Sequence, residues 1–392
     1  MSYLEKLLDG FELQWKSLEE VAEIIRGVRI TKKDLLGDGR YPVVSGGTGY
    51  MGYTNHYNRE ANTITIAQYG TAGYVKWQSE NFWANDICYC VKPNTKVILN
   101  RYLYFYLINK QQYLYDISNR TAIPYSIERG KILNLQIPIP SIEIQQRIVD
   151  ILDKFTDLTS ELTSELIARK HQYYYYREKL FCFDINKVRH LPMGDESIGE
   201  FQRGKRFVKT DLLTEGVPTI HYGEMYTHYG TWASETKSFV SEDLVKNKNL
   251  RKAQKGDVVI VAAGETVEDI GKGTAWLGNQ GVIIHDACFS YKTALNPKFV
   301  AYFTRTKQFH DQIKKHISSG KISAINAKGL GKTLIPIPSP EEQERIVSIL
   351  DKFDILTNSI SEGLPKEIEL RKQQYQYYRD LLLTFPKDEL SE

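Results

Sequence analysis

Residues 137–155 read IPIPSIEIQQRIVDILDKF, and residues 335–353 read IPIPSPEEQERIVSILDKF; fifteen of the nineteen positions are identical. Pro138, Pro140, Pro336 and Pro338 hold the start of each copy extended, because proline fixes φ and biases its predecessor away from the helix. A helical pattern follows each. In the second copy Ser339 is placed as N-cap and Pro340 as first helical residue, with Glu342 completing a capping box. In the first copy Ser141 is the cap, but Ile144 stands where that glutamate would be. Apolar residues then recur at three and four: Ile144, Ile148, Ile151, Phe155, Leu158 and Leu162, and again Ile346, Ile349, Phe353, Leu356 and Ile360. This is a narrow a/d seam with charge on the other faces. As one helix, residues 141–181 would span roughly 60 Å. Such a seam needs a partner, and the nearest at hand is the other copy. Antiparallel pairing would create a pseudo-two-fold within one chain.

The copies differ in length by four residues, counted to Arg169-Lys170 and Arg371-Lys372, and the added stretch holds Gly363 and Pro365. A break is therefore expected there. Both copies end in aromatics, Tyr173–Tyr176 and Tyr375, Tyr377 and Tyr378. At helical spacing these rings are expected to cover the seam or the adjoining domain rather than stack on bases. Leu4-Glu5-Lys6-Leu7 echoes Arg177-Glu178-Lys179-Leu180, which extends the repeat to a helix tail, a domain and a helix, twice over.

The division that follows is a first domain at 1–136, a spacer helix at 137–184, a second domain at 185–334 and a C-terminal helix at 335–392. Net charge is +3, but it is unevenly laid out. The two domains together carry ten more Lys and Arg than Asp and Glu, and the two helical stretches seven fewer. Basic domains joined by acidic spacers suit a polyanion. No apolar run reaches the ~18 residues of a membrane span, and no signal peptide is evident at the N-terminus. The four cysteines form no C-x-x-C pair, which suits a reducing cytoplasm.

The two domains are cousins. Glu23-Ile24-Ile25-Arg26-Gly27 matches Glu200-Phe201-Gln202-Arg203-Gly204, Lys32–Leu35 matches Lys209–Leu212, Asp86–Cys88 matches Asp286–Cys288, and Leu99-Asn100 matches Leu295-Asn296. Short β-like runs (63–66, 257–261) alternate with Gly-rich turns, and one helix is expected after each last landmark, at 102–109 and 299–307. Both domains read as mixed α and β, with loops free to carry function.

Enzyme signatures fail. Gly47–Gly52 satisfies G-x-G-x-x-G, but Tyr53–Asn58 is no amphipathic helix, and a phosphate site needs a helix N-terminus. Asn326–Thr333 has asparagine where a P-loop opens with glycine, and I-P-I-P follows too soon for a helix to start. No histidine, cysteine or carboxylate spacing marks a metal. The chain reads as a binder.

Taken together, the doubled I-P-I-P-helix motif (Ile137–Phe155 and Ile335–Phe353) after each variable domain resembles the specificity subunit of type I restriction-modification systems. Tyr50–Asn58, Gln68–Val75 and Ser318–Leu330 support the match. The resemblance spans nearly the whole chain. It implies two α+β target recognition domains, each reading half of a bipartite, asymmetric site in double-stranded DNA. The two long helices would form an intramolecular antiparallel coiled coil that sets the spacing. Two methyltransferase subunits would dock on this non-catalytic chain, restriction subunits would complete the complex, and S-adenosylmethionine, ATP and Mg²⁺ would reside on those partners. The competing reading is a coiled-coil adaptor with paired protein- or carbohydrate-binding domains.

Candidate DNA-contacting residues in the first domain are Lys32, Ser45, Gly46, Gly47, Thr48, Tyr53, Asn55, Gln68, Tyr69, Thr71 and Arg120. Small loop residues admit a close backbone, Asn and Gln suit adenine, and Arg suits guanine or phosphate. In the second domain they are Lys209, His221, Tyr222, Glu224, Glu265, Thr266 and Lys321, with Glu224 a candidate acceptor for cytosine N4.

Overall fold

The computed structural model describes residues 13–121, 123–318, 320, 322–359 and 361–385. The proposed echo at Leu4–Leu7, the seam residue Ile360 and the candidate Lys321 lie outside the described residues. The chain gathers into two units, 1–163 with 367–392, and 164–366. The division falls within the helical stretches and so differs from the four consecutive segments expected from sequence. Each unit keeps the first half of the helix that follows its domain and takes up the tail of the other helix.

In the first unit, an antiparallel sheet runs in the order Ala22–Arg26, Cys88–Pro93, Thr63–Ala67, Val75–Gln78. A second sheet places Tyr41–Val44 between Tyr50–Thr54 and, in parallel, Trp83–Ala84. The helix Asn100–Asn109 packs on the first sheet. The motif I-P-I-P forms the strand Gln136–Ile139, which closes the domain against Gln14–Ser17. A two-stranded ribbon leaves one edge of each strand unpaired, and that is where proline's missing donor is tolerated.

The second unit repeats this plan. Gly199–Arg203, Cys288–Thr293, Val258–Val261 and Gly273–Trp276 form the matching sheet, extended by Trp232–Ala233. Ser238–Val240, Val217–Ile220 and Val282–Ile284 reproduce the second sheet, with Lys252–Ala253 added. Leu334–Pro336 closes the domain against His190–Pro192. The helix expected at 299–307 covers Pro297–Phe303 and stops there, because the Thr306 hydroxyl caps a new helix, Lys307–Ile313.

The central helix runs unbroken over Ile142–Leu180. The second copy is split into a distal helix, Pro340–Asn358, and a terminal helix, Gly363–Leu383, which opens on Gly363 at φ +77°. The expected break is therefore present. The capping box is incomplete: Ser339 Oγ accepts from Glu342 N (3.3 Å), but the Glu342 carboxylate turns to Arg345, 2.7 Å away.

The apolar stripe serves two surfaces. Ile148 and Ile346, assigned to the helix seam from sequence, are 0% exposed within the cores of the two domains, beside Leu152 and Leu350. Ile151 packs against the first of these cores as well, while Leu158, Leu162, Ile349 and Leu356 are half-buried. In the first unit Phe155 stacks on Tyr378; in the second, Phe353 stacks on both Tyr173 and Tyr176. Tyr174 and Tyr175 remain exposed.

The same polar clamps join helix to domain in both units. The buried amide of Gln145 accepts from Leu99 N (2.8 Å) and donates to the Pro140 carbonyl (2.9 Å). Gln343 accepts from Asn296 N (2.9 Å) and donates to the Pro338 carbonyl (3.0 Å). Arg101 pairs with Asp153 at 2.6 Å, and Lys298 with Asp351 at 2.7 Å.

Candidate nucleic-acid interface

Strand register sets the two domains in residue-by-residue correspondence. Gly27 N donates to the Cys88 carbonyl and Gly204 N to that of Cys288, both at 3.0 Å. Arg26 Nε donates to the Asp86 carbonyl and Arg203 Nε to that of Asp286, both at 2.9 Å. A second guanidinium braces each arginine's own carbonyl, Arg59 at 2.9 Å and Arg251 at 2.6 Å. A Cβ on Gly27 would lie 2.1 Å from the Asn85 carbonyl oxygen, and one on Gly204 2.2 Å from that of His285. Only glycine lets these backbones approach so closely.

The same ladder aligns the loops. Val44 accepts from Asn85 N and Ile220 from His285 N, so Ser45 corresponds to His221 and Gly46 to Tyr222. Gln68 N donates to the Ile87 carbonyl and Ala262 N to that of Ala287. Gln68 thus corresponds to Ala262, Tyr69 to Ala263 and Thr71 to Glu265. The scaffold is held constant while the loop side chains change.

In the first domain three loops converge. Thr71 donates to the Gly46 carbonyl through N (2.9 Å) and Oγ1 (2.7 Å). Gly70, at φ +80°, donates to the Tyr125 carbonyl, and Tyr69 bridges to Ser126. Ser45, Gly46, Gln68, Tyr69, Thr71 and Arg120 are thereby brought together. Exposed Arg120 donates to the Tyr115 carbonyl, and its guanidinium lies 4.8 Å and 5.1 Å from the ring centroids of Tyr115 and Tyr125. Gly47 and Thr48 are exposed, and Thr48's carbonyl is reached by Lys76, which also lies over Tyr50. Tyr53 meets Tyr50 edge-on. Lys32 and Asn55 lie on the neighbouring turn and hairpin, where Asn55 Oδ1 accepts from Arg40 N. Gln68 Oε1 accepts from Arg26 Nε at 3.0 Å. It positions that exposed arginine.

In the second domain a cavity of about 450 Å³ is lined by Arg203, Arg206, Lys209, His221, Tyr222, Glu265 and His285 among others. Imidazole and aromatic rings pack around it, His221 meeting His285 edge to face at 4.8 Å and lying tilted against Tyr222 at 4.6 Å. His285 Nε2 faces the Phe207 carbonyl at 2.9 Å, and its Nδ1 accepts from Ala287 N at 3.0 Å. Burial holds the pKa values of both His221 and His285 below the usual histidine value, outweighing the nearby carboxylates of Glu224 and Asp286. Both rings are neutral near pH 7. Thr266 follows Glu265 in the chain and donates to Asp269 at 2.7 Å. Glu224 cannot serve a cytosine: it is buried, with one oxygen bound by Ser238 Oγ and the other by His221 N.

Sequence reasoning missed Arg26, Arg203, Arg206 and Lys76. The Arg-Gly landmark was visible twice, but its meaning depends on strand partners about sixty and eighty residues away. The G-x-G-x-x-G run enters the strand Tyr50–Thr54, as its rejection required. The Asn326–Thr333 stretch holds a short helix, Ala327–Gly331, capped by Asn326 through Gly329 N, and it runs on into the strand Leu334–Pro336 rather than into the helix that a P-loop requires. No group of three or more His, Cys, Asp or Glu side chains is arranged for a metal, and no helix is long and apolar enough to cross a membrane, among the described residues.

Comparison with known proteins places this architecture. The family model described as "Type I restriction modification DNA specificity domain" matches residues 12–169 and 196–370. A putative type I restriction enzyme specificity subunit of Haemophilus influenzae is 35% identical, covering 98% of each chain. The EcoR124I/EcoR124II specificity subunit of Escherichia coli is 33% identical, covering 99% of this chain and 98% of that one. The crystal structure of a type I restriction-modification S subunit from M. genitalium shares the fold, with TM-score 0.60 at 18% identity over 99% of this chain and 100% of that one. With two copies of one scaffold, each bearing its own loop set, the chain belongs to the type I restriction-modification specificity subunits.

Proposed function

We propose that this chain reads a bipartite, asymmetric DNA site, one half per recognition domain, and supplies sequence specificity to a type I restriction-modification complex without catalysing a reaction itself. The observation that carries the reading is the repeated Arg-Gly ladder with exchanged loop side chains: equal scaffolds can present different chemistry to two different half-sites. Exposed cations, Arg26, Arg120, Arg203 and Arg206, supply phosphate and guanine contacts. The helices pair as an antiparallel coiled coil with pseudo-two-fold symmetry, set the half-site spacing and dock two methyltransferase subunits. Restriction subunits join that assembly. S-adenosylmethionine, ATP and Mg²⁺ reside on the partners, and the complex works in the cytoplasm.

The test is methylome sequencing of cells that express this chain with its methyltransferase. One motif of two fixed blocks around a fixed gap is expected. A continuous motif, or methyl transfer by the purified chain alone, would overturn the reading. The adaptor alternative is separated by salt titration: DNA affinity should fall steeply and log-linearly with salt, whereas an adaptor for protein or carbohydrate shows no duplex binding to lose.

A further inference from the structure

Position 45 in the first domain and position 221 in the second occupy the same place in the ladder, one residue after the strand residues Val44 and Ile220. One carries a hydroxyl and the other an imidazole. The hydroxyl is tied down, since Asn85 Nδ2 donates to Ser45 Oγ at 3.3 Å. The imidazole is tied at one end only. His221 Nδ1 accepts from Gly223 N at 3.3 Å. A nitrogen that accepts a hydrogen bond carries no proton, so the neutral ring holds its proton on Nε2. Among the described residues no group accepts from Nε2, while the ring lines the cavity rimmed by Arg203, Arg206 and Lys209.

We propose that His221 is a specificity-determining residue of the second domain, donating from neutral Nε2–H to an acceptor on one base edge, with the surrounding cations holding the adjacent phosphates. In the major groove the acceptors are purine N7, guanine O6 and thymine O4, and the edge rejected is the cytosine amino group. A donor facing a donor leaves both unpaired, which is what makes a single contact selective. Tyr222 packs on the ring and Glu224 accepts from His221 N, so the side chain is held before DNA arrives. The inference rests on the proposed function and assigns it an atom.

The fixed tautomer also sets how the contact responds to acid. The groups facing His221 are Glu224 and Asp286, which favour its protonation, and Lys209 and neutral His285, which do not. Burial dominates and holds the ring's pKa below the usual histidine value, so the ring is neutral at neutral pH. Protonation would put a hydrogen on Nδ1 and expel Gly223 N.

The experiment selects bound sequences from a pool of random duplexes, using the full-length chain at neutral pH. Wild type, His221→Ala, His221→Asn and Ser45→His are compared, with thermal unfolding of each. His221→Ala should lose about tenfold preference at one position of one half-site. All other positions should be kept. His221→Asn, which retains an N–H donor, should keep a preference at that position. Ser45→His should alter a position in the other half-site. A wild-type chain that selects no sequence overturns the proposed function and this inference with it. A wild-type chain with a clear site, and a His221→Ala chain with the same site at full strength, overturns the inference alone. If His221→Ala binds no duplex, His221→Asn decides: recovered selection supports the assignment, and lost selection with normal unfolding refutes it.

Discussion

The ring of Phe155 stacks on that of Tyr378, with centroids 5.3 Å apart and planes 20° from parallel. Phe353, its counterpart in the second copy, stacks on Tyr176 at 5.7 Å and 24°. Each phenylalanine comes from the start of one helical stretch, and each tyrosine from the tail of the other. The four-residue difference between the copies is absorbed in the break before Gly363, so both tails arrive in phase.

These pairs should be energetically coupled. Truncating Phe155 or Phe353 to alanine is expected to cost about 2–3 kcal/mol, below the full range for buried phenylalanine because both rings are half-buried. A double-mutant cycle of Phe353→Ala with Tyr176→Ala should return about 1 kcal/mol of coupling. Denaturant unfolding measures it, and strict additivity would show that the stack is incidental.

Gln343 offers a sharper test of the helix-to-domain clamp. Its amide is buried, and Gln343→Ala leaves Asn296 N and the Pro338 carbonyl without their partner. The expected loss is about 2–3 kcal/mol. Gln343→Glu should be no better, because the carboxylate keeps the acceptor and loses the donor while burying charge. A loss under about 0.5 kcal/mol, the scale of ordinary surface changes, would mean water replaces the amide.

Much of this frame was legible beforehand because its signals are local. The I-P-I-P segment, the cap, the apolar period and the Gly363–Pro365 break all act within a few residues, and each gives the element that its chemistry demands. The seam was partly misread for a physical reason. A stripe reading Ile148, Leu152 and Phe155 does not say which residues face a domain core and which face another helix. The loops picked out for their unusual chemistry, Ser45–Thr48 and Gln68–Thr71, do converge in space. The site was illegible where the role of a residue is set by its strand partner. Glu224 looked available and is buried; Arg26 looked ordinary and is braced by Gln68 and Asp86.

Glycine at the Arg-Gly landmark should resist substitution. A methyl group on Gly204 would stand 2.2 Å from one carbonyl oxygen and 2.4 Å from another, both backbone atoms. Gly204→Ala is expected to cost about 3 kcal/mol or more, and to displace Arg203. Gly37, beside which nothing lies within 4 Å of an added Cβ, is the control. Gly37→Ala should leave thermal unfolding within a degree or two of wild type.

Acid should loosen the second unit first. Burial depresses the pKa of His221, His285 and His310, all of which lie in that unit. Below the usual value of about 6.5 the unfolded chain takes up protons that the folded chain refuses. Stability contributed by the neutral rings is therefore full above that value. It falls as pH drops from there toward the depressed folded values. Carboxylates held low by hydrogen bonds, such as Asp195 and Asp211, add their own loss only at more acid pH. Thermal unfolding between pH 7.5 and about 5, with hydrogen exchange to locate the change, should show protection lost within 164–366 before the first unit. Uniform loss in both units would mean that the histidines do not control the transition.

The last prediction separates reading from holding in the first domain. Gln68 accepts from Arg26 Nε, whereas the equivalent residue Ala262 offers Arg203 no such partner. Gln68→Ala should therefore free Arg26 to reorient and relax selection at its position, by about 1 kcal/mol of discrimination. Arg120→Ala should remove a cation fixed between two tyrosine rings. Its effect distinguishes two roles. A base contact would weaken one position of one half-site, while a phosphate contact would weaken binding to all sequences alike and flatten the salt dependence by about one unit of slope. Both substitutions should leave the half-site read by the second domain intact, because each domain carries its own loop set. Equal relaxation of both half-sites by Gln68→Ala would show that Arg26 acts through overall stability rather than by contacting DNA.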